Sequence, residues 1–393
     1  MTNDFFQKGV EEIISENGLK KLLKSGKKLR IKLGADPTRP DLHLGHAVAL
    51  RKLKEFQDEG HKIIFIIGDY TVKIGDPTGR NATRPILSIA EIKENARTYF
   101  EQVGKILNVY KAQIWYNSEW YSKMHLDDIL QIAAKFTVSS IIDRDDFKNR
   151  LQKGIDVGLQ ELLYPVMQAY DSVIVKADVE IGGLDQKFNI LAGRALQKKM
   201  GQTPQEIMLL KLLVGLDGKN KMSKSLDNYI GIIEDANSMY GKVMSIPDTE
   251  ILNYFELCTG KTLSEIAQIK KEFSDGKNPM EIKKELAFEI ALIYHGKEAA
   301  EKVQAEFARV FSKGEIPEKL PEISLKKDKA EVFEILRACY QKSQKSNSEI
   351  RRLIEQKAVE IDGKTVLEMK KSLHIPKEGL VVKVGKKDWF KVL

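Results

Sequence analysis

The sequence predicts an α/β protein in which a Rossmann-like parallel sheet is followed by a helical segment and then by a small basic α+β module. Three observations carry that reading. Short apolar runs alternate with helical periodicity in the first half of the chain, strand signals stop after residue 228, and residues 324–393 hold nearly all the excess positive charge. After an amphipathic opening helix, residues 29–35 (LRIKLGA) read as a strand that enters a helix through DPTRPDLHLGHAV. Val48, Leu50, Leu53 and Phe56 recur at helical spacing until Gly60, and 62–67 (KIIFII) is a continuous apolar run suited to a strand buried on both faces. A helix over 89–107 and a strand over 112–116 complete a βαβαβ unit, hence a parallel sheet covered by helices. Two more strands are expected at 177–181 and 207–214, with a helix over 186–200 between them. Residues 120–159 are mostly helical and polar, and they interrupt the alternation as an insertion does.

Residues 230–312 carry helical segments rich in Glu and Lys, broken at Pro247, Gly260 and Gly276, and 314–325 (GEIPEKLPEISL) read as a proline-containing linker. The expected organisation is therefore a catalytic domain over 1–228, a helical domain over 229–313, the linker, and a terminal module over 326–393. A chain of 393 residues has room for two or three domains at about 150 each. With 42% hydrophobic and 31% charged residues the composition is globular, which excludes collagen-like and disordered classes. The longest apolar stretch, 207–216, is broken by Lys211, and the start MTNDFFQKGVEE has no signal-peptide core, so a cytoplasmic protein without a membrane partner is expected. Cys258 and Cys339 lie far apart and outside any C-x-x-C, so both read as buried thiols. Residues 324–393 contain 17 Lys/Arg against 10 Asp/Glu, a net of +7, which leaves only +1 for the rest. A basic terminal module on a near-neutral body suits a polyanion, nucleic acid before membrane.

Two motifs carry chemistry. His43-Leu-Gly45-His46 lies where the first strand's loop becomes a helix, a place that favours phosphate, and Gly45 lets a nucleotide approach the backbone. Two histidines three apart at a helix start can both donate to phosphoryl oxygens; a structural or metal-binding pair is the alternative, but no third ligand sits at a zinc-protease spacing. Lys221-Met-Ser223-Lys224-Ser follows a strand in a glycine-containing loop, and its ammonium groups suit a pyrophosphate whose charge grows as the α–β bond breaks. A solvated basic loop is the alternative if the motif stands alone. Together, in this order and at a domain-sized separation, the motifs resemble HIGH and KMSKS of the class I aminoacyl-tRNA synthetases, the second letter for letter and the first with Leu for Ile.

Tyr164, Gln168 and Asp171 recur on one helical face, offering hydroxyl, amide and carboxylate to an ammonium group and a phenol; Asp171 alone would read as a surface carboxylate. That run, with Gly182-Gly-Leu-Asp185-Gln186 and Ile74-Gly-Asp76-Pro, resembles tyrosyl-tRNA synthetases. The resemblance implies that Tyr164, Gln168 and Asp76 hold the amino group, that Asp171 faces the phenol hydroxyl, and that Gly34 and Gln186 complete the tyrosine site, Gln186 near the carboxylate. It implies an ATP site from Thr38, Gly45, Asp185, Lys221, Ser223 and Lys224, with Asp185 on a ribose hydroxyl, and catalysis by His43, His46, Lys221 and Lys224. Many bacterial members place a Tyr four residues before the Asp-Pro of the first motif, where this chain has Lys32, which cannot copy a phenolic partner. The run DPTRPDLHLGH with GDPTGR and Thr83-Arg84-Pro85 is similar to a second bacterial subgroup, and Arg80 and Arg84 fall where the family's basic residues approach pyrophosphate.

The tail from Ser346 to Lys364 resembles an RNA-binding module shared with a ribosomal small-subunit protein. A helix carrying Arg351 and Arg352, then Lys357, would meet tRNA phosphates, and a hairpin turn is expected at Asp362-Gly363. The implied activity is tyrosine activation by ATP with Mg2+, without zinc, followed by transfer to tRNA(Tyr), in a homodimer joined through 120–159 by family analogy. The alternatives are a tryptophanyl-tRNA synthetase, a small-molecule nucleotidyltransferase with an HxGH loop, and a non-catalytic RNA-binding protein on the same scaffold.

Overall fold

A computed structural model describes residues 3–77, 88–312, 315–316, 320–341, 345–385 and 388–393. Arg80 and Arg84 lie outside them. The chain forms two compact units, Met1–Ala300 and Glu301–Leu393.

The first unit is organised by a six-stranded sheet of β1 (Val10–Ile14), β2 (Arg30–Ala35), β3 (Lys62–Ile67), β4 (Ala112–Tyr116), β5 (Val179–Gly183) and β6 (Glu206–Leu210), in the order β1-β6-β5-β2-β3-β4. All neighbours are parallel except β1 on β6. The edge strand β1 stands where the sequence suggested only an opening helix; α1 (Asn3–Gln7) and α2 (Glu16–Lys24) flank it. Its Val-Glu-Glu-Ile-Ile run has no strong strand signal, and its extended form comes from antiparallel pairing with β6. The central β3 follows from sequence more directly: Ile63 through Ile67 are all buried, as a strand covered on both faces requires.

Chain order runs outward from β2 through β3 to β4 on one side, and from β5 to β6 on the other. Strand order thus reverses between β2 and β5, the place where an open α/β sheet leaves a crevice beyond its carboxyl ends. Those two strands pair only at Ile31↔Val179 and Lys32↔Glu180 before diverging. The helices α3 (Leu44–Asp58) and α4 (Ile89–Val103) connect β2 to β3 and β3 to β4.

The insertion holds α5 (Ser118–Tyr121), α6 (Leu126–Ala133), α7 (Val138–Ile142) and α8 (Asp145–Gln152), and it packs Ile132, Ile141 and Phe147 against Val166, Ala169 and Val173 of α9 (Leu159–Ile174) and Ala192 and Leu196 of α10 (Lys187–Lys199). A buried bidentate pair from Arg150 to Glu161, at 3.0 and 2.9 Å, ties α8 to the start of α9. Beyond the sheet, α11 (Ala236–Met244), α12 (Ile251–Cys258), α13 (Leu263–Ser274) and α14 (Pro279–His295) close on the same unit. Tyr254 donates to the Val214 carbonyl at 2.7 Å, Lys211 pairs with Glu256 at 2.8 Å, and Arg51 donates to the Cys258 carbonyl. Burial pushes the Cys258 thiol up to about 12, so it is inert.

The helix α15 (Lys297–Phe307) leads into the second unit. There β7 (Glu322–Ile323), β8 (Lys329–Glu331), β9 (Val359–Ile361), β10 (Lys364–Thr365), β11 (Ser372–His374), β12 (Leu380–Val384) and β13 (Asp388–Val392) surround α16 (Val332–Cys339) and α17 (Asn347–Glu355). Ile335, Leu336, Ile350, Ile354, Val359 and Val382 form its core. The segment expected as a linker is in part structural: β7 lies parallel to β13, and the Leu325 N–H donates to the Leu393 carbonyl at 2.8 Å. Two prolines suggested a linker, but Pro321 offers its carbonyl to Lys391, a role that needs no N–H. The expected turn at Asp362-Gly363 has φ of 47° and 75°, as a two-residue hairpin of mirror-image type demands. Among the described residues no helix is long and apolar enough to cross a membrane.

Candidate active site

The crevice between β2 and β5 holds a cavity of about 370 Å³, into which both motifs and the α9 face open. Gly34, near the end of β2, has nothing within 4 Å of where a Cβ would stand, so its missing side chain leaves room for a ligand. The strand hands over to Asp36, a lining residue that sequence reasoning did not single out. Asp36 accepts from Thr71 at 2.9 Å and from Tyr164 at 3.0 Å. Burial and then the charge of Asp76 push its carboxyl up to about 7. Its position in the Asp-Pro of the first motif was the available signal. Thr38 lines the same cavity two residues on.

At the start of α3, His43 and His46 stack with ring centroids 3.8 Å apart. The His43 N–H donates to His46 Nδ1 at 3.3 Å, which places the remaining ring proton of His46 on Nε2. Burial, with the charges of Lys224 and Lys221, holds His46 down to about 3, and His43 is pushed down likewise. Both imidazoles are thus neutral at pH 7 and serve as hydrogen-bond donors, not as fixed cations. Gly45 makes the stacking possible, since a Cβ there would stand 3.0 Å from His43 ring atoms.

The second motif reaches the cavity through Lys221 and Ser223. Lys221 pairs with Asp185 at 2.5 Å, so two residues expected at the nucleotide meet each other. The Met222 side chain is buried beneath the loop, and its N–H donates to the Leu213 carbonyl. Lys224 is placed differently from the others: its ammonium donates to the Arg39 carbonyl at 3.1 Å and sits 5.6 Å from the Tyr99 ring centre, outside the cavity lining.

At the other end, Tyr164, Gln168 and Asp171 of α9 face the cavity together with Asp76 and Gln186. Gln186 donates to Asp76 at 2.7 Å and accepts from Asn189 at 2.9 Å, which fixes the orientation of its amide. Asp171 is 5% exposed and accepts from the Trp120 indole at 3.0 Å and from Asn117 at 3.3 Å. Burial pushes it up to about 6, while the charge of Lys32 and those donors pull it back. Asn117 also donates to Thr71, so one buried network runs from Asp171 through Asn117 and Thr71 to Asp36 and Tyr164. Asn117 and Trp120 were not singled out, because neither lies in a motif; only the turn after β4 brings them under α9. In the second unit, Arg351 and Arg352 on α17 and Lys357 just after it are all exposed.

This arrangement has an acidic and hydroxyl-bearing end for an ammonium group, a buried acceptor deeper in, and neutral and cationic donors where a helix begins. It suits an amino acid laid against a nucleotide phosphate. A family model described as tRNA synthetases class I (W and Y) matches residues 24–312. A tyrosine–tRNA ligase of Dehalococcoides mccartyi is 47% identical over 394 residues, covering 100% of this chain and 98% of that protein. One of Desulfotalea psychrophila is 47% identical over 396 residues, covering 99% and 97%. Among solved structures, a C-terminally truncated mitochondrial tyrosyl-tRNA synthetase of Aspergillus nidulans superposes with a TM-score of 0.65 at 22% identity, over 78% of this chain and 93% of that one, a likeness of fold. With identity of this order along its whole length and both motifs opening into one crevice, the chain belongs to the tyrosine–tRNA ligase family of class I synthetases.

Proposed function

We propose that this chain activates L-tyrosine with ATP and then esterifies the terminal ribose of tRNA(Tyr). A tyrosine carboxylate oxygen attacks the α-phosphorus, pyrophosphate departs, and the ribose hydroxyl next displaces AMP from the mixed anhydride. No protein nucleophile is required. The observation that supports this best is the pairing, within one crevice, of a buried acceptor at Asp171 with phosphate-directed donors at His43, His46 and Lys221. The ammonium group of tyrosine fits beside Tyr164, Gln168, Asp76 and Asp36, while Gly34 leaves space for its body. Neutral His43 and His46 donate to phosphoryl oxygens as charge develops there, and Lys221 and Lys224 serve the leaving pyrophosphate. Mg2+ enters with ATP as part of the substrate. Thr38, Gly45, Asp185 and Ser223 belong to the nucleotide's side in the same reading.

The helical segment after the sheet is assigned to the anticodon arm and the basic second unit to tRNA phosphates, through Arg351, Arg352 and Lys357. A homodimer through the insertion is part of the proposal, supported by large apolar side chains left exposed there: Leu126, Leu130, Val138, Leu151 and Leu159. A cytoplasmic setting completes it.

Tyrosine-dependent exchange of pyrophosphate into ATP is the defining test, and exchange supported by tryptophan instead would refute the assignment. Within that assay Asp171→Ala is expected to erode the preference for tyrosine over phenylalanine, which sites of this kind hold at about 10⁴ to 10⁵; an unchanged ratio removes Asp171 from hydroxyl recognition. Lys224→Ala should slow adenylate formation by about 10² to 10³ with tyrosine affinity nearly unchanged, a separation that rapid-quench rates and equilibrium binding resolve. Equal losses in both would place Lys224 in the fold and not in the reaction. Removing residues 321–393 should spare exchange while weakening tRNA charging and flattening its salt dependence; normal charging by the shortened chain would give the second unit another role. Replacing both Leu126 and Leu130 with Asp should shift sedimentation from dimer to monomer, and an undisturbed dimer would move the interface elsewhere.

A further inference from the structure

One buried charge at the crevice has no part in the reaction as read above. Lys32 is 1% exposed and occupies the position where the family resemblance leads one to expect a phenolic partner for the substrate hydroxyl. Its ammonium donates to Ser172 Oγ at 2.7 Å, to Glu180 Oε1 at 2.8 Å and to the Gln168 carbonyl at 3.3 Å. An ammonium has three protons, and three acceptors use them, so Lys32 has none to give a substrate phenol. Glu180 is held as fully: its second oxygen accepts from Ser172 at 2.8 Å and from the Gln205 amide. Lys32 and Glu180 are register partners, the last rung between β2 and β5 before the strands part.

The acceptors of Lys32 matter as much as the pair itself. Gln168 and Ser172 are one turn apart on α9, Ser172 directly follows Asp171, and both Gln168 and Asp171 face the cavity. We propose that the Lys32–Glu180 pair is a specificity-setting positioning device, which pins the pocket-facing turn of α9 to the sheet and keeps Asp171 able to accept the phenolic hydroxyl. The proposal rests on the assignment of Asp171 to that hydroxyl. Lys32 thereby acts through Asp171 without touching the substrate.

Its charge supplies the second half of the effect. The charged and titratable groups around Asp171 are Lys32 from β2, with Glu180 of β5 behind it, Tyr121 from α5, Tyr164 on its own helix, and Asp36 after β2; Asn117 and Trp120 are neutral donors. Burial raises Asp171, and among these influences the Lys32 charge is the largest that opposes it. As pH falls through about 6, Asp171 takes up a proton and turns from a charged acceptor of the phenol into a weaker neutral one. Tyrosine affinity then falls relative to phenylalanine affinity, while changes at the ammonium subsite affect both amino acids and cancel in the ratio.

The test is the ratio of phenylalanine to tyrosine dissociation constants, measured by equilibrium dialysis on the full chain between about pH 5 and 9. In the unaltered protein the ratio should fall on acidification with a midpoint near 6. Lys32→Met should move that midpoint upward, lowering the ratio at pH 7 by about tenfold for a shift of two pH units, and Lys32→Arg should restore most of it. Glu180→Gln, which leaves the ammonium unopposed, should move the midpoint downward. Opposite displacements by the two variants support the proposal, because a purely structural contact would lower binding in both at every pH. Midpoints unmoved in both, or displaced in the same direction, overturn it. Should Lys32→Met fail to fold, the downward shift in Glu180→Gln still decides: its presence supports the proposal and its absence overturns it. A protein that binds tyrosine with a ratio flat in pH also overturns it, whereas one that binds no tyrosine overturns the reading of Asp171 beneath it.

Discussion

The crevice exists because β2 and β5 run side by side for only two register pairs before parting, and the last of those pairs is an ion pair, Lys32 with Glu180. Parallel strands covered on both faces are ordinarily filled with Val, Ile and Leu, as β3 is. Charges at this rung cost desolvation that their mutual attraction only partly offsets, and an apolar pair of similar volume is often as stable or more so. What an apolar pair lacks is direction. The ammonium reaches both Ser172 and the Gln168 carbonyl, so the sheet grips one particular turn of α9, and that turn carries the pocket's amide and its buried carboxylate.

The same crevice is charged against itself. Asp36, Asp76 and Asp171 converge on it, and in Asp36 both burial and the charge of Asp76 favour the protonated form. A carboxyl whose folded-state pKa is raised from 3.8 to about 7 binds its proton more tightly when folded. Its contribution to stability therefore grows as pH falls from about 7 toward 4 and is lost as pH rises through that window, so near neutrality the crevice works against the fold. An ammonium bound here, as proposed, reverses the sign. It draws the carboxylates into their charged form and releases protons, which makes this end selective for a cation. At the other end the logic is complementary: burial beside two lysines keeps His43 and His46 neutral, so in their proposed role they offer donors to phosphates without adding positive charge that would repel the lysines.

Much of this was legible in sequence because it follows local rules. The strands β3 and β4 begin and end at the residues their apolar runs mark, and the turn at Asp362-Gly363 follows from its two residues alone. Both motifs declared themselves, and with them most of the polar residues that line the cavity, though not Asp36, Thr71, Glu180 or Lys211. What remained hidden depends on distant partners. The strand β1 takes its form from β6, and β7, only two residues long, from β13 at the far end of the chain. Asp171 could be singled out from its helical spacing, but its donors Asn117 and Trp120 come from a different element, about fifty residues earlier. Lys32 was visible as a departure from the family, yet its meaning lay in Ser172 and Glu180, which no spacing in the sequence connects to it.

The placement of the two motif lysines adds a last constraint. Lys221 is paired with Asp185, and Lys224 with the Arg39 carbonyl over the Tyr99 ring. In the proposed reaction each ammonium exchanges a protein partner for phosphate oxygens, so its net interaction with ATP in the ground state is reduced by the partner it gives up. In the transition state the leaving pyrophosphate carries more charge, and the same exchange becomes more favourable by that difference. Binding that is weakened equally in both states leaves the barrier unchanged, but an ammonium that engages only as charge develops lowers it. Under the proposed roles the resting pairs make the lysines poor ligands for ATP in the ground state, and what lowers the barrier is the added charge of the leaving pyrophosphate, which the cost of the lost partner does not change.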